Sequence, residues 1–145
     1  MTTIFLVILA GILYTLFDIL VARASGKVND YYANVIFNGL GALIPLIILL
    51  VIKAKHQPIQ AERHGIILNI CAGFAIAAFS ILFVNIFAQG GNLSFVIPAI
   101  YGIVLVLSSI IGWVLFKEHF SLMGLVGVVQ ITVGVTVIAV SKLKT

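Results

Sequence analysis

Apolar residues run along this chain in five long blocks separated by short polar breaks. Block length is the first signal, because a helix needs about 20 mostly apolar residues to cross the hydrocarbon core of a bilayer. Five segments reach that length: Thr2–Ala22, Tyr31–Ile52, Gly65–Ala88, Leu93–Phe116 and Leu122–Val140. The breaks "RASGKVND", "KAKHQPIQAERH", "QGGN" and "KEHFS" carry the Gly, Pro, Asn and Ser of turns and helix ends. Connections this short make consecutive helices antiparallel neighbours and leave no room for an inserted soluble domain. The expectation is an all-α integral membrane protein, a five-transmembrane-helix bundle forming a single domain over residues 1–145.

At 3.6 residues per turn the few polar and small residues inside the blocks fall into stripes. Gly11, Thr15, Asp18 and Ala22 share one face of the first span, and Asn34, Asn38, Gly41 and Pro45 one face of the second. Pro98, Tyr101, Ser108 and Gly112 cluster on the fourth, and Gly124, Gly127, Gln130 and Gly134 on the fifth. Lipid offers no hydrogen-bond partners, so these faces should turn toward other helices or a watered cavity. Helix packing accounts for the glycines and for Ser80 and Ser108. It accounts less well for Asn34 and Asn38, since each amide brings donors and an acceptor that all need partners.

Depth sorts the polar residues further. Alternating helix direction brings Asp18, Asn34, Asn38, Asn85, Gln89 and Tyr101 into the half of the membrane near Arg23 and Lys27, and leaves the other half poorer in such groups. Asn85 falls on the opposite face of its helix from Asn69 and Ser80, so the six need not all converge. Asp18 lies about 9 Å from the middle of its span, counting 1.5 Å per residue. Its side chain is too short to reach the headgroups easily, and Arg23, five residues on, faces away. A partner from another helix, or a proton, must satisfy it.

Composition agrees with the pattern. Of 145 residues, 63% are apolar and 8% charged, and the mean hydropathy is +1.31, well outside the range of soluble domains. The net charge of +4 sits in the connections and suits anchoring at headgroups, not binding nucleic acid. "MTTIFLVILAGILY" lacks the early charge of a cleavable signal peptide and reads as a retained span. Cys71 is the only cysteine, and His56, His64 and His119 lie in loops without ligand spacing, so neither a metal nor another cofactor is expected. Tyr31, Tyr32 and Trp113 lie near span ends, where aromatic rings anchor at the interface.

Sorted by side, Lys53, Lys55, Arg63 and Lys117 lie with the N-terminus, and Arg23, Lys27, Lys142 and Lys144 lie opposite. The Lys and Arg bias that normally sets topology is therefore absent. A chain so balanced can insert both ways and pair with an inverted copy of itself, which would place one polar cavity at each surface. Inverted-repeat transporters have that geometry.

From Gly90 the chain reads "GGNLSFVIPAIYGIVLVLSSIIGWVLFKEHFSLMGLVGVVQITVGVTVIAVSK". This resembles the closing helices of the EamA-like drug/metabolite transporter superfamily: Pro98 shortly after "NLSFV", Gly112 in a long apolar helix, "FKEHFS" with Glu118, and Gly127 and Gly134 in the last helix. The first three spans match mainly in number and length. The resemblance implies one unit of an inverted-repeat transporter fold that works as two units in opposite orientation, moving a small metabolite or drug-like solute by alternating access. It implies that Gly127, Gln130 and Gly134 are candidate contacts between units and that Glu118 is structural. Related four-helix exporters use a first-helix glutamate that falls nearer Thr15 than Asp18, so that role is not carried over.

The expected protein is thus a multi-pass transporter of the cell (inner) membrane, in contact with the lipid bilayer and working as an antiparallel, dual-topology homodimer. The expected solute-binding residues are Asp18, Thr15, Asn34, Asn38 and Tyr101. The alternatives are a lipid-linked sugar flippase subunit and a non-transporting accessory subunit of a larger membrane complex. An enzyme is disfavoured, because no catalytic cluster lies within the spans. With no GxxxxGK[ST] loop present, energy would come from an ion or solute gradient.

Overall fold

The computed structural model, which describes residues 2–119 and 121–143, places five helices between the polar breaks. They are α1 (Thr2–Ala24), α2 (Asp30–Ala54), α3 (Arg63–Ala88), α4 (Leu93–Val114) and α5 (Leu122–Leu143). Past α1, Gly26 takes φ +76°, which a residue without a Cβ adopts freely. Asn29 opens α2: its Oδ1 accepts from the backbone N–H groups of Tyr31 and Tyr32 at 3.0 and 3.2 Å. Ser121 Oγ opens α5 by accepting from Gly124 N–H at 3.0 Å.

The close of α2 is less ordinary. Gln57 N–H reaches Ile52 O at 3.2 Å and His56 N–H reaches Lys53 O at 3.0 Å, the paired bonds of a Schellman turn. The left-handed position in that turn is normally glycine, but here it is His56 at φ +53°.

Helices α1, α2 and α3 run a few residues past the apolar blocks, into Arg23, Lys53 and Arg63, because backbone hydrogen bonding propagates without regard to side-chain hydropathy. The fourth block behaves differently. Its helix stops at Val114, and Leu115 and Phe116 join a turn in which Lys117 has φ +53° and Glu118 N–H returns to Gly112 O at 3.1 Å.

Among the described residues four helices, from Thr3–Ala24 to Leu93–Val114, are long and apolar enough to cross a membrane, and α5 carries a shorter apolar stretch over Leu122–Ile138. The fold is all-α, with no strand among the described residues beyond an isolated bridge between Ser25 and Val28.

The chain forms two compact units, Met1–Gly90 and Gly91–Thr145. In the first, α3 packs against both α1 and α2. Phe17 of α1 meets Phe37 of α2 edge-on at 5.4 Å and lies parallel to Phe83 of α3 at 6.2 Å, while Phe83 is flanked along its own helix by Phe79 and Phe87. Phe83 and Val84 are fully buried.

Burial in this unit is confined to the C-terminal halves of α1 and α3 and the N-terminal half of α2. Residues 3–16, 39–51 and 66–78 are all exposed. Apolar side chains facing lipid lose nothing by exposure, so helices here can separate without the penalty they would meet in water. In the second unit α4 packs on α5 at a point where Gly102 leaves no space: a Cβ there would lie 2.8 Å from Val135 Cγ2.

Candidate functional site

Asp30, Asn34 and Asn38 recur every fourth residue along α2, so their side chains form one column on the helix. The column is tied together by its own backbone. Asn34 Nδ2 donates to Asp30 O at 2.8 Å and Asn38 Nδ2 to Asn34 O at 2.9 Å. It is also tied to α3 at two heights. Deeper in the membrane Asn38 Nδ2 makes a long bond of 3.4 Å to Ser80 Oγ, which itself donates to Ala77 O at 3.0 Å. At the surface Asn85 Nδ2 donates to Asp30 Oδ2 at 3.1 Å, and Gln89 Nε2 donates to Asn85 Oδ1. The result is a polar seam between α2 and α3 that runs inward from the membrane surface.

Asn34 is 6% exposed and Ser80 3%, while Asn38, at the deeper link, is exposed. Asn34 Oδ1 is buried and has no hydrogen-bond partner among the described residues. The amide cannot be turned to relieve this. Asp30 O accepts from its NH₂ end, and reversing the amide would set two acceptors against each other. A buried acceptor left unpaired costs about 1 to 3 kcal/mol, a cost that no water inside a bilayer relieves.

A cavity of about 460 Å³ opens at the outer end of the seam, lined by Gly26 to Tyr31 together with Ile81 and Asn85. Lys27 and Asp30 are the charged residues of its lining, and Asn29 and Asn85 carry amides. Another cavity of this unit, about 560 Å³, lies at the start of α3 around Glu62 and Asn69. Within the second unit, cavities of about 480 and 300 Å³ lie between α4 and α5 and are lined almost wholly by apolar side chains. Among the described residues no group of three or more His, Cys, Asp or Glu is gathered as a metal site.

The residues singled out from the sequence fare differently. Asn34 and Asn38 lie in the seam. Asp18 is 3% exposed, on the buried face of α1 next to Phe17 and Val21. Thr15, one turn earlier, is exposed and its hydroxyl donates to Gly11 O at 2.9 Å, a local bond that lets a hydroxyl face lipid. The stripe Gly11, Thr15, Asp18 and Ala22 thus changes from open to buried along its length. Tyr101 is half-buried on α4 of the second unit, and on α5 Gly127 is half-buried while Gln130 and Gly134 are exposed. A Cβ at Gly127 or Gly134 would meet nothing within 4 Å, so both present open backbone. Glu118 closes the α4–α5 turn, its carboxylate lying over Gly112.

The sequence reading missed Asp30, which lies just outside the expected span, and treated Ser80 as packing. The four-residue spacing of Asp30, Asn34 and Asn38 was the signal that would have found the first.

The sequence model of the EamA-like transporter family matches residues 1–140. Comparison with curated proteins and with solved structures finds no match to this chain.

Proposed function

We propose, from the premise that this chain belongs to the EamA-like transporter family, that it moves a small polar metabolite or drug-like solute by alternating access as a pair of oppositely oriented copies. Membership makes it a multi-pass membrane protein, in contact with lipid, from a family of small transporters, not enzymes. The finer reading places it in the cell's inner membrane.

The observation that carries this reading is the distribution of polar burial in the first unit. Asp18, Asn34 and Ser80 are buried, all in the half of the membrane that leads to Arg23 and Lys27, while residues 3–16, 39–51 and 66–78, on the opposite halves of α1, α2 and α3, are exposed. In one copy the buried polar side chains of this unit gather toward one surface. An inverted partner adds the same arrangement toward the other surface, and alternating access needs both. Four Lys and Arg on each side, from the eight in the chain, support insertion in both directions.

In this reading Asp18, Thr15, Asn34, Asn38 and Tyr101 face the solute, and Gly127, Gln130 and Gly134 meet the second copy. The first test is topology mapping with reporters at both ends, together with cross-linking through the last helix. Copies in both orientations, cross-linked through α5, are expected. A single orientation would sink the homodimer and point to a separate partner. For Asp18, the expected result is that Asp18→Asn keeps expression and pairing but abolishes transport or removes its pH dependence. Unchanged transport across pH would remove Asp18 from the mechanism.

A further inference from the structure

Resting on the reading of the chain as a solute transporter, we infer that the α2–α3 seam is the solute's access path, and that Asn34 Oδ1, buried partway along it, accepts a hydrogen bond from the solute's donor group, an ammonium or a hydroxyl. Three independent observations meet here. The cavity around Lys27, Asp30 and Asn85 is large enough for a small polar solute and open at the membrane surface. From its wall a hydrogen-bonded column leads inward, Asp30 to Asn34 to Asn38 and across to Ser80. One turn below Asp30, about 6 Å deeper, the column presents the buried acceptor that has no donor among the described residues.

Packing alone does not account for the acceptor. Where the α2–α3 contact needs only shape, Leu at position 34 would fill the same space without an unpaired oxygen, and burying an unpaired acceptor is the costly choice. The amide donors of the column are engaged. Asn38 donates twice, Ser80 both donates and accepts, and Asn85 and Gln89 hold each other and Asp30. Asn34 Oδ1 is the buried acceptor of the column still able to act among the described residues. As an acceptor it selects for donors, and the Asp30 carboxylate at the mouth selects in the same sense. Lys27 at the rim receives whatever anionic group the solute carries.

The test uses the full chain in proteoliposomes, with Cys71→Ala to remove the exposed native thiol and Ile81→Cys in the cavity wall as the reporter. The labelling rate with a water-soluble methanethiosulfonate is measured against rising ethanolamine, ethylene glycol or acetate. Ethanolamine offers an ammonium and a hydroxyl, ethylene glycol hydroxyls only, and acetate only acceptors. Ethanolamine should slow labelling and acetate should not, and ethylene glycol tells whether a hydroxyl alone suffices. In the Asn34→Leu background the apparent affinity for ethanolamine should weaken about two- to tenfold, the factor that one hydrogen bond supplies.

Protection that is the same with and without Asn34→Leu overturns the assignment, as does equal protection by acetate or none by any probe. Thermal unfolding of Asn34→Leu is measured alongside and is expected at or above the parent temperature, since an unpaired acceptor has been removed. Unfolding well below the parent would show the amide to be a structural part of the seam and would also overturn the assignment. Labelling reads a single copy and needs no transport, so it can fail while both orientations are observed, or hold while only one is.

Discussion

Gly102 and Gly112 lie on the same helix, and each has an atom where its Cβ would go, yet the two positions differ in what that atom can do. At Gly102 the obstacle is Val135, a stiff β-branched side chain whose Cγ2, Cγ1 and Cβ would lie 2.8, 2.9 and 3.2 Å from the added carbon. At Gly112 it is Glu118 Oε2 at 2.8 Å, the far end of a flexible chain that can swing aside. Gly102→Ala should therefore separate α4 from α5 and cost about 1 to 3 kcal/mol, the usual penalty of overpacking. Gly112→Ala should stay within about 0.5 kcal/mol of the parent. Thermal unfolding in detergent compares them directly, and equal losses would mean that the α4–α5 contact is not set at Gly102. Both glycines are visible in the sequence, and nothing local distinguishes them, since the difference lies in residues 33 and 6 positions away.

At the scale of the element, the ends of α2 show local chemistry at work. Asn29 caps the start with its side chain, and Asp30 adds a negative charge in the first turn, where the helix dipole favours it. The other end relies on His56 in a left-handed conformation that costs a residue with a Cβ about 1 kcal/mol. His56→Gly keeps both backbone bonds of the turn and should stabilise the protein by about 0.4 to 1 kcal/mol, less the extra freedom that glycine adds to the unfolded chain. A lower unfolding temperature for this variant would mean that the imidazole itself holds the loop. The same helix carries Asp30, Asn34 and Asn38 at intervals of four, so a single element supplies the mouth, the inner acceptor and the link to α3.

For the whole molecule, orientation is the property most open to a small change. Replacing Lys53 and Lys55 with serine leaves two basic residues on the N-terminal side against four on the other, and touches neither the seam nor α5. The positive-inside bias should then hold the Arg23 and Lys27 side in the cytoplasm in nearly every copy, read by reporters at the two ends, and should abolish transport by the variant alone. Co-expression with a variant biased the opposite way should restore it. Transport that persists in a uniformly oriented population would mean that the paired arrangement is not needed.

The number of helices, their approximate limits and the turns between them were legible in the sequence, because each depends on a run of neighbouring residues: length against bilayer thickness, and Gly, Asn or Ser where backbone groups need an end. The fourth helix shows where this stops. Leu115 and Phe116 are apolar and look like helix, but Glu118 N–H returning to Gly112 O draws them into the turn. The stripes were legible too, as faces. Periodicity assigns a residue to a side of its own helix and says nothing of what the neighbouring helix presents at that height. Asn38 meets Ser80 across 42 residues and Asp30 meets Asn85 across 55, pairings set by how α2 and α3 are rotated and staggered against each other. The aromatic contacts of Phe17, Phe37 and Phe83 accompany that packing. Only the tertiary structure, by bringing those faces into register, joined Asn38 to Ser80 and Asp30 to Asn85 and left Asn34 Oδ1 buried without a donor among the described residues.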